Sequence, residues 1–282
     1  VTISVPPLAL ALILGAAILH ATWNALVKGS ADRTLTMAMI SFGHSLLGLV
    51  LVLVFPLPMA ESWPFIALST FIHFFYYALL VVAYRDGDLS QVYPIARGVA
   101  PLLVSVGAFF FAGENLRPLA WVGIFAISGG IGLIFLGSRT HPASRTAVLS
   151  AFAVGVTIAA YTIADGLGVR ASGEPMGYIG WLFLLECIAG TGFLAWRRHH
   201  LVAATRKGIL VGLMGGLISA VAYGLAIYAK SLTQLGAVSA IRESSVIIAA
   251  LIGAYWFKER PWKIRVAAAG VVACGVLLIA FA

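Results

Sequence analysis

Five charged side chains stand inside apolar runs: Arg97, Asp165, Glu186, Arg242 and Glu243. A charge at the centre of a membrane span costs about 2.5–3.5 kcal/mol on insertion scales, so each must face a partner or a wet cavity. An arginine offers a fixed fork of donors that suits a carboxylate or another anion. Glu186, in LFLLECIAG, suits proton or ion coupling, because desolvation works against its charge. The competing reading is structural: a buried ion pair of Arg242 with Glu243 or with Glu186. His20, His44 and His73 occupy three further apolar runs.

Other polar and aromatic residues fall on the same helical faces. His20, Trp23 and Asn24 are spaced i, i+3, i+4, as are His73, Tyr76 and Tyr77. Tyr93 precedes Arg97 by four residues, Tyr161 precedes Asp165 by four, and Tyr223 and Tyr228 share one run. These residues, with Arg242 and Glu243, are the expected lining of a substrate cavity. Pro94 and Pro101 bracket Arg97. Proline bends a helix and removes a donor from its ladder, so the two mark a hinge or gate.

The elements that carry these residues span a membrane. The chain of 282 residues is 61% hydrophobic and 10% charged, with a mean hydropathy of +1.03. Soluble domains carry roughly 25% charge. Ten runs approach the roughly 20 apolar residues that cross a bilayer: Leu8–Lys28, Thr36–Phe55, Phe65–Tyr84, Gln91–Ala112, Pro118–Gly137, Thr146–Val169, Met176–Trp196, Ile209–Lys230, Ala237–Phe257 and Trp262–Phe281. The short alternating segments of a barrel are absent, so the spans are helices. The expected class is an all-α, multi-pass membrane protein, with small residues such as Gly129, Gly130, Gly132, Gly212, Gly215, Gly216, Gly270 and Gly275 at helix contacts.

The chain also repeats itself. IARGVAPLLVSVGAFFFAGENLRP, from Ile95, aligns without a gap with AIRESSVIIAALIGAYWFKERPW, from Ala240, so that Arg97 and Glu114 correspond to Arg242 and Glu259. Glu114 and Glu259 read as helix-end anchors. The turn-forming stretch 139–145 divides a first five-span repeat, 1–138, from a second, 146–282. Five is odd, so the second repeat enters from the opposite side, and the ten transmembrane helices form two inverted five-helix repeats.

The net charge of +8 does not point to nucleic acid, because the basic residues cluster in short loops. Thirteen of the eighteen Lys and Arg fall on one face, and Arg117, Arg170 and Lys230 on the other. That bias predicts a cytoplasmic location for the thirteen and external termini. Cys187 and Cys274 have no metal-ligand spacing and read as small core residues. No cofactor or metal is expected. The partners are a small-molecule substrate and membrane lipid, and a monomer suffices.

The paired repeats, the closing GEN and KER turns and the LHATWNALVK segment of the first span resemble the EamA family of the drug/metabolite transporter superfamily. The resemblance implies a central cavity built by spans one, three, four, six, eight and nine, and at His20, Trp23, Asn24, Tyr77, Arg97, Tyr161, Tyr223 and Arg242 it implies cavity-lining positions. It also implies cytoplasmic termini, against the charge count, and a bacterial inner-membrane location. The expected function is secondary transport, by alternating access, of a small polar metabolite such as an amino acid, in the direction of export. The alternative is a flippase for lipid or a lipid-linked sugar in the same fold. No HExxH, GxSG or nucleotide-binding motif supports an intramembrane enzyme or direct ATP drive.

Overall fold

The computed structural model describes residues 5–28, 33–86, 89–137, 144–196, 205–248 and 262–282. Among them there is no strand. The helices are α1 (Pro7–Lys28), α2 (Arg33–Val54), α3 (Trp63–Asp86), α4 (Leu89–Ala112), α5 (Pro118–Gly137), α6 (Arg145–Ala171), α7 (Pro175–Trp196), α8 (Arg206–Leu232), α9 (Leu235–Arg242) and α10 (Trp262–Ala280). The segment 139–143 of the expected linker, and Glu259, lie outside the described residues.

Five described stretches are long and apolar enough to cross a bilayer: Pro7–Leu26, Pro94–Ala112, Arg145–Ala171, Arg206–Leu232 and Lys263–Ala280. Their outer faces are greasy rather than polar. Ile18, Phe110, Phe111, Leu210 and Leu277 are all exposed, which is unfavourable in water and favourable in hydrocarbon.

The expected ninth span, Ala237–Phe257, is not one continuous helix. α9 has only 8 residues and ends at Arg242, a length of about 12 Å against a hydrocarbon core of about 30 Å. The cause is local. Arg242, Glu243, Ser244 and Ser245 are consecutive polar residues, all buried, and serine side chains compete with the helical ladder. The backbone tightens here to bonds three residues back: Glu243 N–H to Ala240 at 3.0 Å, Ser244 to Ile241, Val246 to Glu243 and Ile247 to Ser244, each 2.9 Å. Residues 245–248 are helical again.

The chain forms two compact units, each drawing on both halves of the sequence. The first comprises Val1–Leu14, Phe71–Ala164 and Leu232–Ala282. In it α5 packs along α10, and α4 lies against α5 and α9. Val104 and Ala108 of α4 share a core with Ala159 of α6 and Leu235 of α9. Gly113 ends α4 at φ +64°, a conformation that costs glycine nothing. The reversal lets Glu114 N–H bond Ala108 C=O at 3.1 Å, which satisfies a carbonyl near the end of the helix. It also aims the Glu114 carboxylate at the start of α9, where both oxygens accept from Leu235 N–H at 2.9 and 2.8 Å. The helix's own N-cap, Gln234, makes no side-chain capping bond. Glu114 is therefore a helix-end anchor, as expected, but the helix it anchors belongs to the other half of the chain.

The second unit comprises Gly15–Thr70 and Asp165–Ser231. α2 packs along α7. Leu51, Ile66, Val169, Tyr178, Leu182, Phe183 and Ile227 form its main core. α2 and α8 meet backbone to backbone at Gly43 and Gly216, where a Cβ on either residue would come within 2.7 Å of the other helix. Elsewhere among the expected contact glycines, Gly130, Gly212 and Gly275 abut a neighbouring helix, whereas Gly129, Gly132 and Gly270 face open space. Cys187 is half-buried and Cys274 is exposed on α10, so the latter is not a core residue.

Candidate functional site

The residues expected to line one cavity divide between the two units. In the first unit fall His73, Tyr77, Tyr93, Pro94, Arg97, Pro101, Tyr161, Arg242 and Glu243. In the second fall His20, Trp23, Asn24, Asp165, Glu186, Tyr223 and Tyr228.

In the first unit, α4 carries Arg97 between Pro94 and Pro101 without breaking. Pro101 has no N–H to offer the carbonyl of Arg97, and Ser105 Oγ donates to the carbonyl of Pro101 at 2.7 Å. Arg97 Nε lies 3.0 Å from Glu243 Oε2, with both side chains buried. The break after α9 thus delivers a carboxylate to the arginine of α4. The structural reading had foreseen Arg242 as the partner of Glu243 or Glu186, and the structure adds Arg97 as a partner of Glu243. Arg242 is itself buried beside the pair in sequence. The side chain of Tyr93 lies outside the described residues.

The same unit holds an aromatic cluster. His73 of α3 stacks on Tyr161 of α6, centroids 4.3 Å apart at 24°. Tyr76 meets Tyr161 edge-on at 5.8 Å, and Tyr77 lies 5.4 Å from Tyr76. Helical spacing placed the α3 residues on one face, and the fold supplies their partner.

In the second unit, Asp165 is the centre of a buried network. Tyr178 OH donates to Oδ1 at 3.4 Å, and Tyr223 OH donates to Oδ2. Lys230 Nζ lies 3.7 Å from Oδ2 and 5.5 Å from the Tyr223 ring centre. Lys230 was counted among surface charges in the sequence. It is 1% exposed, because Asp165 compensates its charge and Arg170 Nε holds its carbonyl at 2.9 Å. Tyr228 packs against the core around Tyr178 and Phe183.

Glu186 has its partner on α2. Its Oε2 lies 3.0 Å from His44 Nδ1, and His44 Nε2 lies 3.0 Å from Ser219 Oγ of α8. The His44 ring leans on Phe183 at 5.0 Å, and Phe183 stacks on Tyr223 at 5.8 Å. On α1, Trp23 Nε1 donates to His20 Nδ1 at 3.3 Å and Asn24 Nδ2 to the carbonyl of His20 at 2.7 Å. This trio is half-buried and engaged within its own helix.

Sequence reasoning noted His44 but assigned it no role, and it missed Lys230, Tyr178 and Ser219. Two signals were present. His44 and Glu186 sit near the middle of corresponding spans of the two repeats, two and seven. Lys230 follows Tyr223 by seven residues, two helical turns along one face.

Buried charges on several helices, greasy outer faces and a span broken at a polar quartet describe a membrane protein that carries compensated charge among its helices. The EamA-like transporter family description matches the chain twice, over residues 7–136 and 145–281. The chain belongs to the EamA-like transporter family. It is 24% identical, over 200 residues, to a Bacillus subtilis (strain 168) protein named Uncharacterized transporter YwfM, covering 70% of this chain and 67% of that protein. A protein of solved crystal structure is similar in fold at TM-score 0.73, with 16% identity, over 96% of this chain and 95% of that one. This EamA-like protein is thus a multi-pass integral membrane transporter.

Proposed function

We propose that this EamA-like transporter moves a small polar metabolite bearing a carboxylate, an amino acid or related compound, by alternating access and in the direction of export. The observation that carries this reading is the Arg97–Glu243 pair at the break after α9. An arginine does not lose its charge, so its burial demands an anion. Glu243 supplies that anion at rest, and a substrate carboxylate can take its place with the same fork geometry. Interrupted helices at mid-membrane are where transporters of many folds place substrate, because the freed backbone and polar side chains offer contacts that a continuous helix withholds. The aromatic cluster of His73, Tyr76 and Tyr161 in the same unit suits the apolar part of such a molecule.

Alternating access follows from the inverted-repeat reading, in which the halves 1–138 and 146–282 rock about a shared site. Pro94 and Pro101 give α4 its hinge. Export rests on the resemblance to exporters in the family, and inner-membrane residence rests on the same ground.

The test is a thermal-shift screen of the purified protein with amino acids, each beside its amide and its decarboxylated amine. Ligand at about a hundred times its Kd stabilises the folded state by about 2.7 kcal/mol. The expected result is stabilisation by the free carboxylates alone, lost in Arg97→Gln. Equal stabilisation by acid and amide removes the role assigned to Arg97.

A further inference from the structure

The buried pairs His44–Glu186, Arg97–Glu243 and Lys230–Asp165 differ in what they can do with a proton. Arginine keeps its proton under all physiological conditions. Asp165 faces the Lys230 side chain and accepts from two tyrosine hydroxyls, one on each oxygen, so its partners already fill it. The remaining pair joins a carboxylate to an imidazole, the side-chain type that ordinarily exchanges protons near neutral pH. Both members are buried.

We propose that His44 and Glu186 form the proton-coupling site of this protein, taking up one proton from water and returning it during each transport cycle. The proposal rests on the transporter reading and adds the driving ion. With one shared proton, the pair is neutral and its 3.0 Å contact is a salt bridge or its neutral tautomer. A second proton, delivered from the aqueous side, settles on a Glu186 carboxyl oxygen and leaves an imidazolium beside a carboxylic acid. The net charge rises by one, and release of that proton restores the starting state. No other reactant is required.

The surroundings make this charge change consequential. On α2, Ser41 and Ser45 are neutral neighbours, and Arg33 opens the helix about 16 Å away along the axis. On α7, the adjacent titratable group is Cys187. On α8, Ser219 holds the second ring nitrogen of His44, and Tyr223 lies one turn further on. Through Phe183, which touches both rings, His44 abuts Tyr223, whose hydroxyl donates to Asp165. A proton at the pair therefore changes the charge next to the Asp165–Lys230 network, which lies in the same compact unit.

The test has two arms, both on protein reconstituted in phosphatidylcholine and phosphatidylglycerol vesicles. In the first, infrared difference spectra are recorded through an acid titration. The expected result is a carboxylic-acid carbonyl band that is lost in Glu186→Gln. In His44→Gln the band's midpoint moves by about one pH unit, a tenfold change in proton affinity. In the second arm, radiolabelled phenylalanine is the probe, and the ratio of its flux with and without an imposed pH gradient is compared. That ratio falls to one in Glu186→Gln. An acid band identical in wild type and Glu186→Gln overturns the proposal, whatever phenylalanine does. Should Glu186→Gln not fold, an unmoved midpoint in His44→Gln overturns it equally. Immobile phenylalanine in the wild type counts against the substrate class proposed above and leaves the infrared arm to decide the proton site.

Discussion

Replacing Lys230 by Met removes the ammonium that faces Asp165 and keeps most of the aliphatic stem. Lys230 and Asp165 are 1% and 0% exposed, and Nζ lies 3.7 Å from Oδ2. At an effective dielectric of about 20, that separation corresponds to a gross attraction of about 4.5 kcal/mol. Deleting one partner of a buried pair costs about 3–5 kcal/mol, because the other charge is left uncompensated. Here Tyr178 and Tyr223 still donate to the carboxylate, so the lower end, about 3 kcal/mol, is expected. The change amounts to roughly 150-fold in the folding equilibrium. Asp165→Asn is destabilising in its turn, because it strands the ammonium. The double variant leaves neither charge and is expected to cost about 2–3 kcal/mol less than the sum of the singles. Unfolding in mixed detergent and SDS micelles, followed by tryptophan fluorescence, reads all four corners of the cycle. If the two single effects add to within about 0.5 kcal/mol, the pair is not coupled and the reading of the network is wrong.

Two further substitutions test the architecture around the sites. Glu114→Ala removes the acceptor that caps α9 from a distant segment; a charged hydrogen bond of about 1.5–3 kcal/mol is lost, and hydrogen exchange at the amides of residues 235–238 is expected to accelerate while that of α10 stays slow. Gly216→Ala forces a methyl group against the backbone of α2, with an overpacking cost of about 1–3 kcal/mol; because Gly43 and Gly216 neighbour His44 and Ser219, the infrared midpoint assigned to the proton site should move with it, and an unmoved midpoint with full stability would show that the two helices part freely.

Much of the fold was legible because the signals are local. Apolar runs of spanning length report helices whatever their neighbours, and helical spacing alone put His73 and Tyr76 on one face. Glu114 read as a helix-end residue from its place after Gly113. Other features depended on contacts that spacing cannot express. The break after Arg242 was hidden because apolar residues continue on both sides of the polar quartet, so hydropathy reports one span where the backbone makes two segments. Lys230 read as a surface charge because it stands at the edge of an apolar run, and only the position of Asp165 on another helix makes its burial tolerable. His44 carried only serines as polar neighbours on its own span, so its tie to Glu186 could be suspected only from the correspondence of spans two and seven.

The sequence by itself determined that this is a helical membrane protein and that each intramembrane charge must find compensation, since an unpaired charge in hydrocarbon is costlier than any local preference can repay. The tertiary structure decided which partner each one takes. Burial requires a counter-charge but is indifferent to its source, and the choice depends on which helices touch and how each is rotated about its axis. The fold gave Glu243 to Arg97 of α4, Glu186 to His44 of α2, and Asp165 to Lys230 of α8. The first pair became a candidate carboxylate site and the second a candidate proton site through that pairing, because the partner sets what a buried charge can exchange.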